Sequence, residues 1–231
     1  MKKPKHIGIV ACSSEGAALC YRTICLEGEK YLGKYEHPEI TMHTHSFGEY
    51  VRCIKSGDWN CVAKLMISSS KKVAKAGADF IIYPDNTIHK VFDKVVKESP
   101  IPWLHIAEEV ALEASRNNYK RVGILGTIYL MESEIYPEKL KKHNIDFELP
   151  EKSERLEINR IIFDELVKGE IKESSRNYFV RIIEKLKKKG CDAVVLGCTE
   201  IPLIVTPKVS PLPTLDSTRI LARAALRKAL E

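Results

Sequence analysis

The sequence predicts an α/β protein built from two similar halves, and two observations predict it. Short runs rich in valine and isoleucine recur between long helical patterns, without the alternation of a one-sided sheet. Strands that read this way are buried on both faces of a parallel sheet. The chain also repeats itself: GADFIIYPDNTIH at 77–89 lies over GCDAVVLGCTEIP at 190–202 without a gap. Helical stretches at 62–76 and 178–189 precede the two copies. SPIPWL at 99–104 and SPLPTL at 210–215 follow them, and IGIV at 7–10 matches VGIL at 122–125. Matches in one order indicate an internal duplication: two similar three-layer α/β half-domains with parallel-rich sheets, facing each other across an active-site cleft. On the repeat Asp85 falls on Cys198, so the two side chains are expected to approach one small molecule from opposite sides.

Taken in order, 6–11 reads as the first strand, and Cys12-Ser13-Ser14-Glu15-Gly16 as the turn into a helix over 17–31. No G-x-G-x-x-G or Walker pattern is present, so no nucleotide is implied; the small polar turn suits a carboxylate instead. A second strand is expected over 40–47. Its His43-x-His45 pair lacks the further ligands of a closed metal site, so no metal is assigned. A turn at 55–59 leads to a long amphipathic helix ending near Gly77. Strand 79–83 then delivers Pro84-Asp85-Asn86-Thr87, with a helix over 88–98. Pro100 and Pro102 bracket an extended segment before a helix over 107–117. The second half opens with strand 121–125 and the turn Gly126-Thr127, followed by a helix over 133–143 and a strand over 146–149. A helix over 155–167 closes at Lys168-Gly169, where glycine suits a left-handed residue. A helix over 174–189, a strand over 191–196 and a last helix over 218–230 complete the chain.

Composition narrows the partners. The 231 residues are 44% hydrophobic and 29% charged, as in a soluble globular protein. The net charge of +6 is dispersed, dense only at 185–189, which reads as a solvated helix end. Basic residues without interleaved aromatics or a binding motif argue against nucleic acid. No apolar run approaches the ~18 residues of a membrane span, and Met1-Lys2-Lys3-Pro4 leads into a strand, not a signal sequence. Seven cysteines without C-x-x-C pairs point to a reducing cytoplasm and no disulfides.

The chemistry is expected at the strand ends. Cys198 stands at the carboxyl end of its strand, where open parallel sheets keep their ligands. An exposed thiol there, beside backbone N–H groups, is drawn towards the thiolate. Asp85 has two readings: a proton-transfer group, or the N-cap of the helix that follows.

LGCTEIP at 196–202 resembles the pyridoxal-independent aspartate/glutamate racemase family. So do NTIH at 86–89, Ser46-Phe47 shortly before Gly57-Asp58-Trp59, Gly126-Thr127 and Lys168-Gly169. Glu200 after Cys198-Thr199 is similar to the aspartate-racemase branch. The resemblance implies a dimeric protein of two α/β domains, one of 1–102 plus 212–231 and one of 103–211. It also implies an isomerase without cofactor that takes a proton from the α-carbon of aspartate or glutamate and returns one on the other face. It casts Cys198 and Asp85 as the two proton-transfer groups, although the family usually has cysteine where this chain has Asp85. The turn Ala11-Cys12-Ser13-Ser14-Glu15 likewise replaces a Gly-Gly-Met form, with Ser13 still at a family position. Ser13, Asn86, Thr87, Thr127, Thr199 and Glu200 are the substrate-binding candidates, with Lys168 and Arg52 to neutralise a second acidic group. Two alternatives keep the same residues: a single-cysteine decarboxylase or cis–trans isomerase of a small dicarboxylate, and a non-catalytic binding protein.

Overall fold

Ile7–Ala11 forms β1, buried at every position, as a strand covered on both faces must be. The computed structural model describes residues 3–231, so the first two residues of the N-terminal lead-in lie outside the described residues. The chain divides into two units. The first runs to Glu109 and resumes at Thr218–Glu231; the second is Val110–Ser217.

In the first unit β1 is followed by α1 (Ser14–Leu32), β2 (Ile40–Thr44), α2 (Phe47–Lys55), α3 (Trp59–Lys75) and β3 (Phe80–Ile82). A 3₁₀ turn (Thr87–Val91) and α4 (Phe92–Glu98) come next, and α5 (Ile106–Arg116) carries the chain from the first unit into the second. The sheet order is β2-β1-β3, all parallel, with Ile7 paired to Ile40 on one side and Phe80 on the other. One face packs Val10, Ile81 and Tyr83 against Tyr50 of α2 and Val62 and Met66 of α3. The other packs Ile9, Phe80 and Ile82 against Cys20 and Ile24 of α1 and Leu221 and Ala225 of the final helix. These are the two outer layers of a three-layer unit.

The second unit contains β4 (Arg121–Leu125), α6 (Ile128–Met131), α7 (Ile135–Lys141), β5 (Asp146–Glu148), α8 (Lys152–Asp164) and a 3₁₀ turn (Leu166–Lys168). It continues with α9 (Glu173–Lys188), β6 (Ala193–Leu196), α10 (Ile201–Ile204) and β7 (Thr214–Asp216), and α11 (Ser217–Leu230) ends the chain. Its sheet order is β5-β4-β6-β7, again all parallel. Ile158, Ile162, Phe179, Ile183 and Leu186 of α8 and α9 pack against Val194 and Leu196.

The repeat extends to single hydrogen bonds. Asp79 takes the His6 N–H on Oδ2 at 2.7 Å and donates its own N–H to His6 O at 2.8 Å. Asp192 does the same for β4, accepting from Lys120 and Arg121 at 2.6 and 3.0 Å and donating to Arg121 O at 2.8 Å. Gly77 and Gly190, at φ +99° and +88°, make the left-handed exit from α3 and α9 that each aspartate needs. Ile81 and Val194 donate to Pro102 and Pro213. Trp103 thereby bridges in parallel to Ile81 where β7 lies in the second unit.

Several elements differ from the sequence-based expectation. The strand drawn over 40–47 stops at Thr44, because α2 begins at Phe47 and buries Tyr50 and Cys53 one turn apart. The helix drawn over 133–143 is the shorter α7, Ile135–Lys141, and a separate short helix, α6, precedes it. The units divide after 109 and 217 instead of 102 and 211, since the Trp103 bridge stays with the first sheet and β7 with the second. The expectation of no disulfide is corrected: Cys53 and Cys61 are joined, with Cα atoms 5.7 Å apart, because a three-residue turn sets the end of α2 against the start of α3. No helix among the described residues is long and apolar enough to cross a membrane.

Candidate active site

In the second unit the site grows from the ends of β4 and β6. Gly197 N–H donates to Leu125 O at 2.7 Å. A Cβ on Gly197 would stand 2.8 Å from that oxygen and 2.5 Å from Leu130 Cδ2, so only glycine lets the strand ends draw together. Cys198 follows at 9% exposure. Its Sγ–H donates to Glu200 Oε2 at 2.9 Å, and the Thr199 hydroxyl donates to the same oxygen at 2.7 Å. Thr199 and Glu200 are each 4% exposed.

Here the structure changes the sequence-based picture. The thiol is buried, and a carboxylate faces it. Two negative charges so close and so dry would repel strongly. The Glu200 carboxylate is thus a hydrogen-bond acceptor for the Cys198 thiol.

In the first unit the corresponding strand end, after β3, presents Asp85. The side chain is half-buried, beside buried Asn86 and Thr87. Asp85 N–H donates to Tyr83 O at 2.9 Å, and the Asp85 carbonyl faces His89 Nδ1 at 2.7 Å. The N-cap position belongs to Asn86, and the element that follows is the 3₁₀ turn, with α4 starting only at Phe92. Tyr50 and Tyr83 lie beneath, fully buried and edge to face at 6.5 Å. Burial first, then the nearby charges of Cys12, Tyr50 and Asp85, pushes the Tyr83 phenol well above its ordinary value. The two tyrosines are near enough to perturb each other, yet neither hydroxyl closes a hydrogen bond of good geometry.

The remaining candidates divide by environment. Ser13 and Thr127 occupy equivalent places after β1 and β4. Each is buried and caps the helix that follows, accepting from Gly16 N–H at 3.2 Å and Leu130 N–H at 3.3 Å. β1 neighbours β3, so Ser13 shares a sheet end with Asp85, Asn86 and Thr87; β4 neighbours β6, so Thr127 shares one with Cys198, Thr199 and Glu200. Lys168 is exposed on the 3₁₀ turn after α8, whose last residue is followed by Gly169 at φ +78°. Glu165, 3% exposed, ties that turn down through Ser175 Oγ at 2.5 Å and Arg160 Nη1 at 3.0 Å. Arg52 is exposed in the last turn of α2. His43 and His45 bond Ser69 and Ser68 of α3, and among the described residues no cluster of three metal-binding side chains occurs. Glu165 carries no signal in the sequence, and His89 stands there only as the last residue of the NTIH stretch, without a role.

This arrangement has relatives. A family model for the Asp/Glu/Hydantoin racemases matches residues 9–225. The chain is 25% identical over 169 residues to the broad specificity amino-acid racemase RacX of Bacillus subtilis, covering 73% of each protein. A candidate Asp/Glu racemase from Yersinia pestis superposes with a TM-score of 0.90 at 34% identity, over 98% of this chain and all of the other. An aspartate racemase homologue from Pyrococcus horikoshii superposes at 0.84 with 31% identity, over the full length of both. With the repeat, the strand-end cysteine and these likenesses together, the chain belongs to the Asp/Glu/Hydantoin racemase family and is an isomerase of the racemase type.

Proposed function

We propose that the protein racemises a small acidic amino acid, aspartate or glutamate, without a cofactor. In one direction Cys198, having passed its proton to Glu200, removes the α-proton as a thiolate. Asp85, in its protonated form, gives a proton to the opposite face of the carbanion and is left ionised. In the other direction Asp85 is the base and the Cys198 thiol the acid, the two-base exchange that inversion at carbon demands. Asn86, Thr87, Thr127 and Thr199 supply donors for the α-carboxylate, whose enolate form carries the developing charge. Lys168 is the cation for the side-chain carboxylate. The family's homodimer belongs to the same reading.

The observation that carries this reading is the Cys198–Glu200 contact, which gives the thiol a route to its reactive form. Incubating the purified protein with single enantiomers of aspartate and glutamate, without added pyridoxal phosphate, and following the opposite enantiomer by chiral chromatography tests it. Product from neither amino acid, by a folded protein, removes the proposal.

A further inference from the structure

We propose that His89 is a positioning residue for Asp85, a role that rests on reading Asp85 as a proton-transfer group. His89 is 3% exposed. Its ring stacks on Phe92 at 5.4 Å and meets His105 and Tyr83 edge-on. Ile106 N–H donates to its Nε2 at 3.3 Å. That nitrogen is therefore the lone-pair side, and the proton of the neutral ring sits on Nδ1. Nδ1–H then donates to the Asp85 carbonyl at 2.7 Å.

Ile106 opens α5, and the first N–H groups of a helix have no partner within it. The imidazole is thus a rigid spacer between the start of α5 and the Asp85 peptide. Asp85 N–H is held by Tyr83 O on the other side, and His89 N–H returns to Asn86 O at 3.1 Å. With the peptide fixed on both sides, the carboxyl direction is set by few torsions. The repeat supplies the control. His89 falls on Pro202, which has no ring nitrogen, so the strand end that bears Cys198 is built without such a spacer. The ring serves only the strand end that bears Asp85.

Three variants and one spectrum test this. His89→Phe keeps the stacking and loses both hydrogen bonds; His89→Asn keeps an N–H near the Nδ1 position; Asp85→Asn removes the acid itself. Racemisation is measured together with α-deuterium uptake in D₂O from each enantiomer separately. We expect Asp85→Asn to stop racemisation while uptake by Cys198 from one enantiomer persists. His89→Phe should reproduce that split, with racemisation lowered roughly 10²-fold, and His89→Asn should recover most of the loss. Wild-type racemisation in His89→Phe beside a split in Asp85→Asn overturns the positioning role alone. Equal loss of uptake from both enantiomers in His89→Phe overturns it too, as general damage. Full activity of Asp85→Asn removes the parent reading and the positioning role with it. Should His89→Phe not fold, ¹⁵N NMR of the wild-type histidines still tests the bridge: the Nδ1–H tautomer is expected for His89, and the Nε2–H tautomer refutes it.

Discussion

The sulfur of Cys198 lies 2.9 Å from Oε2 of Glu200, with both side chains buried past the carboxyl end of β6. Residues two apart in a regular helix do not face each other, so the contact is not one a helix would make. It forms because Glu200 has a helical backbone conformation between the strand end and α10, which folds its carboxylate back over Cys198. An amide at that position can still accept the thiol hydrogen but cannot take the proton away. Glu200→Gln should therefore lower α-proton exchange by roughly 10²-fold or more, the scale of a lost general base, with little change in KM. An unchanged kcat would remove Glu200 from proton transfer.

Asp85 is where the chain leaves its family's two-cysteine pattern. Asp85→Cys restores two thiols on the repeat and should raise the rate of racemisation. The stability of Asp85→Asn should stay within about 0.5 kcal/mol of wild type, since the amide matches the carboxylate in shape and its oxygen still accepts hydrogen bonds. Equal racemisation rates for wild type, Asp85→Asn and Asp85→Cys would show that this side chain takes no part.

Much of this was legible before the structure. The duplication could be read because its turn chemistry is local: glycine for the left-handed exit, aspartate to cap the neighbouring strand, proline two positions from the strand pair. Asp85 and Cys198 followed from it as equivalent strand-end residues. What stayed hidden depends on direction and distance. The alternation from Ile40 runs on into Phe47, so the sequence does not mark where β2 ends and α2 begins. Strand β7 is three residues beside a proline, too short for a period. The Cys198–Glu200 contact hangs on one backbone conformation, and the Cys53–Cys61 bond on the approach of two helix ends. Neither has a spacing signature.

Glu165 gives a prediction in pH. The Ser175 hydroxyl foremost, then Arg160 and Lys172, hold its carboxyl below the ordinary glutamate range although burial works the other way. A depressed folded value means stability that is fully present above the unfolded value of ~4.3 and lost as pH falls through the folded one. Glu165→Gln should cost about 1–3 kcal/mol at neutral pH. It should also flatten the acid limb of a Tm-against-pH curve. Parallel curves for mutant and wild type would contradict the assignment.

The Cys53–Cys61 bond closes a short loop around the Gly57-Asp58 turn. Chain-entropy arguments for a loop of this size give a stabilisation of about 2.5 kcal/mol. Cys53→Ser with Cys61→Ser should lower the urea midpoint accordingly while leaving α-proton exchange near wild type, because neither sulfur stands at a strand end. A large loss of exchange at unchanged stability would count against that separation of roles.

The most direct test of the account is α-deuterium uptake in D₂O, followed by NMR or mass spectrometry from single enantiomers of aspartate and of glutamate, for wild type and Cys198→Ser. The account predicts uptake by wild type from at least one of these amino acids, accompanied by its enantiomer, and none above background from a folded Cys198→Ser. Uptake at the wild-type rate in Cys198→Ser would contradict it.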